Sequence, residues 1–228
     1  TIFPKIASPT IGSSRAGTAL PGFSAVISPR SSRNSKKRHH PDQVTIQAVL
    51  TGAAALLRGA SPSRELDTEL LLAHVLQKPR EYLLARRAEE VPPRTERRFS
   101  SLVRRRLEGV PVPYLAGTKE FYGRAFAVTP AVMIPRPESE DIVTEALTLL
   151  DTSDALHPIA ADVGTGSGAL AVPIALDAPR ARVLATDKSA SALSVAHLNA
   201  RRHRVSRRVT FFESDLLTEI PPELSPHI

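Results

Sequence analysis

The sequence predicts an α/β protein in which a small helical bundle precedes the first half of a doubly wound parallel sheet. Three observations predict it. Over residues 42–110, apolar residues recur at helical spacing between proline-marked joints. From residue 158 onward, short apolar runs alternate with helical segments, the βαβ rhythm of a parallel sheet with right-handed crossovers. Between the first of these strands and its helix stands Asp162-Val163-Gly164-Thr165-Gly166-Ser167-Gly168, with glycine at alternate positions. Glycine lets a backbone turn tightly and approach a ligand where a Cβ would collide. The loop therefore reads as a cradle, and a helix starting at its end would add free N–H groups.

The elements follow in order. Residues 1–41 are rich in Ser, Pro, Gly and Arg without a period of 2 or 3.6, so they cannot offset their ordering entropy by burial, and disorder is expected. Residues 42–112 form the helical unit. Ile46, Val49, Leu50, Ala53 and Leu57 lie along the first helix beside Val44, Gln47, Ala48 and Thr51. Ser61-Pro62 opens a second, with acids Glu65, Asp67 and Glu69 in its early turns and Leu66, Leu70, Ala73, Val75 and Leu76 along it. Pro79 restarts the chain through Tyr82 and Leu83, and Pro92-Pro93 restarts it through Phe99, Leu102, Val103 and Leu107 before Gly109. Residues 113–130 read as a hairpin linker, with aromatic and apolar residues around Gly123. In the last unit, 131–228, an acid-led helix runs from Glu138 through Ile142, Val143, Ala146, Leu149 and Leu150. Strands are expected near 159–163, 182–186 and 209–213, with helices near 168–177 and 189–203.

Composition narrows the partners. Hydrophobic content is 42% of 228 residues, enough for a core, and no apolar run reaches membrane-spanning length. The absence of cysteine excludes disulfides and thiolate metal ligands. His39, His40, His74, His157, His197, His203 and His227 show no H-x-x-x-H or H-E-x-x-H spacing, so no metal site is expected. The net charge of +7 comes entirely from residues 1–41, whose seven basic residues face no acid, leaving 23 basic against 23 acidic residues in the rest. Direct nucleic-acid binding by the folded part is not expected. Arg104-Arg105-Arg106 and Arg201-Arg202-His203-Arg204 read as solvated helix faces or ends.

The loop has three readings. Gly164, Gly166 and Ala169 satisfy the dinucleotide pattern G-x-G-x-x-G/A. Taken with Asp162, the segment is D-x-G-x-G-x-G, which resembles the S-adenosylmethionine loop of class I methyltransferases. Both expect an acid after the next strand to accept from ribose hydroxyls, and Asp187, 19 residues after Gly168, fits. The third reading is a tight turn with a helix-capping aspartate and no ligand.

Upstream segments bear on the choice. Glu69-Leu70-Leu71-Leu72-Ala73-His74-Val75-Leu76, Pro113-Tyr114-Leu115-Ala116-Gly117-Thr118-Lys119-Glu120-Phe121 and Ile134-Pro135-Arg136-Pro137-Glu138-Ser139-Glu140 occur in that order before the loop. From residue 43 to about 220 the chain resembles the release-factor glutamine methyltransferases, the HemK/PrmC family. The resemblance implies a helical substrate-docking unit and a partial class I (Rossmann-like) methyltransferase domain. It implies S-adenosyl-L-methionine as cofactor and a peptide chain release factor as protein substrate, in the cytoplasm. An acid-free, Arg- and Ser-rich start also resembles an organellar transit peptide, without its amphipathic helix. By resemblance Gly164, Thr165, Gly166, Ser167 and Gly168 line the methionine and ribose side of the donor, Asp187 holds the ribose hydroxyls, and Asp215 and Leu216 meet the adenine. Leu216 stands where relatives often carry an aromatic residue, which implies weaker stacking. Arg136 and Glu138 border the substrate entrance, or else Glu138 only caps its helix.

The implied chemistry is demanding. A glutamine amide nitrogen is a weak nucleophile because its lone pair is delocalised into the carbonyl, so oriented acceptors and proximity must carry its methylation. In the family those acceptors come from an Asn-Pro-Pro-Tyr segment after a fourth strand. No such segment occurs here. The asparagines are Asn34 and Asn199, and Pro221-Pro222 lies between Ile220 and Glu223. The chain is thus expected to be an incomplete protein that binds the donor weakly and does not catalyse, with the outer edge of its first sheet strand bare. An N6-adenine methyltransferase and a non-catalytic partner-binding fragment are the alternatives.

Overall fold

A computed structural model describes residues 44–222 and 224 of the chain. The expected disorder of residues 1–41 lies outside the described residues. The helical unit contains α1 (Ile46–Leu56), α2 (Arg64–Leu76), α3 (Arg80–Ala85), α4 (Pro93–Leu107) and α5 (Val112–Ala116). Prolines open three of them. Pro79, Pro92 and Pro111 stand at the N-caps with extended ψ, where a missing N–H costs nothing. Thr45 caps α1 by accepting from the Ala48 amide.

The bundle core gathers Ile46, Val49, Leu57, Leu71, Leu72, Leu83, Phe99 and Val103, all fully buried or nearly so. It departs from the sequence reading in which leucines it uses. Leu71 and Leu72 of α2 are fully buried, whereas Leu66 and Leu70 are partly exposed, as is Leu107. Asp67 fixes the start of α2. It accepts from the Ser61 and Ser63 hydroxyls and from Arg106 Nε of α4, at 2.7, 3.1 and 2.7 Å. Burial pushes its carboxyl up, but the Ser61, Arg106 and Ser63 hydrogen bonds and the Arg106 charge outweigh this and hold it below the ordinary value.

The hairpin is shorter than the 113–130 span expected, because Val112–Ala116 forms α5 with prolines at its cap and second position. Strands β1 (Thr118–Phe121) and β2 (Arg124–Ala127) pair antiparallel through Tyr122-Gly123. Both turn residues have positive φ, +50° and +65°, as a two-residue type I′ turn requires. Phe121 and Phe126 meet edge to face inside the core of the sheet unit. Arg124 pairs with Asp177, and Glu140 accepts from the Tyr122 amide, so the hairpin is fastened to the elements behind it.

A 3₁₀ turn (Pro137–Ser139) leads into α6 (Glu140–Asp151), which begins after Glu138 rather than at it. Val143 of α6 is buried while Ile142 and Leu149, expected on its apolar face, are exposed. Then come β3 (Ile159–Val163), α7 (Ala171–Asp177), β4 (Arg182–Asp187), α8 (Ala190–Arg202) and β5 (Val209–Glu213). The sheet is parallel in the order β3-β4-β5, with Val163 beside Thr186 and Asp187 beside Glu213. Among the described residues β3 pairs on one side only, with β4. The sheet thus presents its C-terminal strand ends, Val163, Asp187 and Glu213, at one rim, where ligands of open α/β sheets bind.

Candidate functional site

The glycine loop leaves β3 and is tied down by β4. The amides of Gly164 and Thr165 both donate to Thr186 O at 2.8 Å, and Gly168 N donates to Thr165 O at 2.8 Å. Gly164, Gly166 and Gly168 have φ of +78°, +55° and +76°, a region that costs any other L-residue about 1–2 kcal/mol. At Gly168 there is a second reason for glycine. A Cβ would lie 3.4 Å from that of Ala196 on α8. The helix behind the loop starts at Ala171, not 168, and the Ala171 amide is already taken by Asp162 Oδ2 at 3.1 Å. Asp162 also accepts from the Thr165 hydroxyl at 2.7 Å. Burial holds its carboxyl above the ordinary value against these two hydrogen bonds, and the nearby Asp187 charge adds to the rise.

Asp187 closes β4 and is partly exposed. Its Oδ2 accepts from Gly166 N at 2.9 Å and its Oδ1 from Ser189 N at 3.0 Å. Each oxygen keeps acceptor capacity, since an ionised carboxylate offers about four lone-pair sites. The carboxylate is thereby aimed from the rim while fixing the middle of the glycine loop. One strand further, Ser214 is buried. Its amide donates to Asp187 O at 3.0 Å and its hydroxyl accepts from Glu219 N at 3.1 Å. This turn presents exposed Asp215 and, at a φ of +56°, exposed Leu216.

The Ile134–Glu140 segment divides. Met133–Arg136 forms one wall of a crevice of about 160 Å³ whose other wall is Gly164–Ser167. Arg136 is exposed at its edge. Glu138 is exposed in the 3₁₀ turn, does not line this crevice and makes no cap hydrogen bond. Larger crevices of about 540 and 590 Å³ exist beside Arg180 and beside His74. Neither touches the glycine loop, and the loop's geometry outweighs their size.

Two residues that sequence reading passed over belong to this site. Asn199, read as an interior helix residue, bonds both the loop and the hairpin. Ser214 couples the Asp187 and Asp215 tips. Among the described residues, Thr186 alone has a buried side-chain polar atom without a partner, its Oγ1.

Three parallel strands, their crossover helices and a glycine loop locked to an acid at the next strand's tip define the class: a partial Rossmann-like methyltransferase domain. Residues 140–225 match the family described as "Methyltransferase small domain", and residues 48–117 match "PrmC N-terminal domain". The release factor glutamine methyltransferase of Burkholderia pseudomallei is 43% identical over 180 residues, 77% of this chain and 62% of that protein. The enzyme of that name from Moorella thermoacetica is 41% identical over 76% of this chain and 61% of its own length, and that of Bordetella pertussis 44% over 69% and 57%. The chain is thus similar to release factor glutamine methyltransferases over about three quarters of its own length, and it spans about three fifths of the length of these relatives.

Proposed function

We propose that this chain carries the donor-binding half of an S-adenosyl-L-methionine-dependent enzyme that methylates the side-chain nitrogen (N5) of a glutamine in peptide chain release factors. The observation that carries the reading is the lock between Gly166 N and Asp187 Oδ2 at 2.9 Å. It presents an acid with free acceptor sites beside a loop whose three glycines all take positive φ, a backbone region that disfavours other residues. When bound, S-adenosyl-L-methionine supplies an electrophilic methyl group on a positively charged sulfur. Gly164, Thr165, Gly166, Ser167 and Gly168 would hold its methionine and ribose side, Asp187 its ribose hydroxyls, and Asp215 with Leu216 its adenine. Arg136 would border the substrate entrance, and Glu138 is the weaker candidate there. Asp162, buried beneath the loop, holds its shape by accepting from the Thr165 hydroxyl and the Ala171 amide.

The helical unit is the proposed docking unit for the protein substrate. Arg94, Arg97, Arg98, Arg104 and Arg105 are exposed on α4, share one side of that helix by their spacing, and make no ion pair among the described residues. Such a face suits an acidic protein surface. A cytoplasmic setting belongs to the same proposal.

No Asn-Pro-Pro-Tyr segment occurs among the 228 residues, so we expect this polypeptide to retain labelled donor and transfer none of it. The experiment is a tritiated-donor assay with release factor, DNA or no acceptor. It is run on this chain and on a chimera that continues residue 213 into the corresponding C-terminal part of the Burkholderia pseudomallei relative. The chimera is expected to label a release-factor glutamine. Label on DNA would contradict the assignment, and label on release factor from the 228 residues alone would contradict the expected inactivity.

A further inference from the structure

Asn199 lies on α8 with no solvent exposure, and each of its polar hydrogens and its oxygen is engaged. Its Oδ1 accepts from Ala127 N at 2.7 Å, and its Nδ2 donates to Ala127 O at 3.0 Å and Ser167 O at 2.8 Å. One side chain therefore ties the end of β2 to the glycine loop. The Ser167 carbonyl needs such a partner. It sits between two glycines of positive φ, outside any ladder, and a buried carbonyl left unpaired forfeits the hydrogen bond that water would have given it. Asparagine suits this position for a chemical reason: two carbonyls require two N–H donors and one amide requires an acceptor. Aspartate would set a charge and lone pairs against both carbonyls.

The same helix face packs the neighbouring pieces. Ala196 stands against Gly168, while Ala192 and Val195 cluster with Val128 and Val132, just beyond β2. The Tyr114 hydroxyl holds Val132 O at 2.7 Å. From Val132 the chain passes directly into Met133–Arg136, the wall that faces Gly164–Ser167. We infer that Asn199 is a positioning residue: it holds the glycine loop and the Met133–Arg136 wall at a fixed separation, so that the bound donor is presented to the acceptor side. This inference rests on the donor reading above.

The test pairs Asn199→Ala with Val209→Ala, a core change in β5 that touches neither wall. The Arg124–Asp177 pair and the Phe121–Phe126 contact do not involve Asn199, so the variant is expected to fold. Calorimetric titration with S-adenosylhomocysteine should show affinity weakened about tenfold in Asn199→Ala, the scale of one lost oriented hydrogen bond. Val209→Ala should stay within about twofold at a comparable loss of melting temperature. Equal weakening in both variants would overturn the inference. A second measurement needs no variant. In the native chain, the probe should slow hydrogen exchange at the Ala127 amide, which Asn199 holds, and leave Val128, bonded to Gly117 O, unchanged. No slowing at Ala127 in a chain that binds the probe would overturn it. Should the native chain not bind the probe, the donor reading fails. Asn199 is then judged on the ligand-free chains: lost exchange protection at Gly168 in Asn199→Ala but not in Val209→Ala supports the positioning role, and unchanged protection refutes it.

Discussion

Replacing Gly168 by alanine perturbs one methyl group, and its cost can be built from two separate sources. The backbone there has a φ of +76°, which disfavours an L-residue by about 1–2 kcal/mol. The new Cβ would stand 3.4 Å from Ala196 Cβ and 3.5 Å from Val172 Cγ2. Ala196 has no rotamer to swing away, and both neighbours are fully buried, so the loop and α8 must part by a few tenths of an ångström. Overpacking of that kind adds about 1 kcal/mol. The expected loss of about 2–3 kcal/mol lowers the melting temperature by roughly 4–12 °C in a chain of this size. Differential scanning calorimetry reads that loss, and a donor titration reads the displaced loop. Ala196→Gly separates the two sources. Alone it costs about 1 kcal/mol of helix propensity. Combined with Gly168→Ala it removes the contact but not the φ strain, so the double-mutant cycle should show a favourable coupling of about 1 kcal/mol. A Gly168→Ala chain that melts with the native protein and binds donor equally well would refute the reasoning.

Three further outcomes follow from buried polar groups. Thr186→Val removes the unpartnered Oγ1 without changing the side-chain shape; thermal melts should show a gain of about 1 kcal/mol, with donor affinity unchanged. Asp162 has its carboxyl raised by burial, so its contribution to stability is present below the unfolded value and lost as pH rises through the folded one. Urea titrations across pH should therefore favour Asp162→Asn progressively as pH increases through that window. Asp67 is shifted the other way. Its contribution is present above the unfolded value and lost as pH falls through the folded one, so Asp67→Asn should cost about 3 kcal/mol at neutral pH and progressively less in acid.

The parts of the fold that follow from local rules were legible in the sequence. Pro79 and Pro92 open helices where a proline should, and the three strands lie within a residue of their expected bounds. Val112–Ala116 was not legible, because five residues with two prolines are too few to show a period. Nor could the pattern tell which leucines of α2 face inward. Leu70, Leu71 and Leu72 are equally apolar, and the choice depends on what α4 and α5 present to them. The site divides in the same way. The glycine loop and Asp187 are visible because backbone demands restrict residue type there. Asn199 is invisible, since a lone amide on a helix has no local signature and its partners lie 72 and 32 residues away. Glu138 and Arg136 look equivalent in the chain, yet only Arg136 reaches the crevice wall, because Pro137 begins a new turn between them.

The central claim is that Asp187 and the glycine loop hold a methyl donor together. Isothermal titration of S-adenosyl-L-methionine into the native chain and into Asp187→Ala tests it most directly. The native chain should bind one equivalent. The variant, which loses the acceptor and frees the Gly166 amide, should bind about a hundredfold more weakly, as expected for a charged hydrogen-bond partner worth roughly 3 kcal/mol. Equal affinity in the two chains, or no binding by the native chain, would contradict the account.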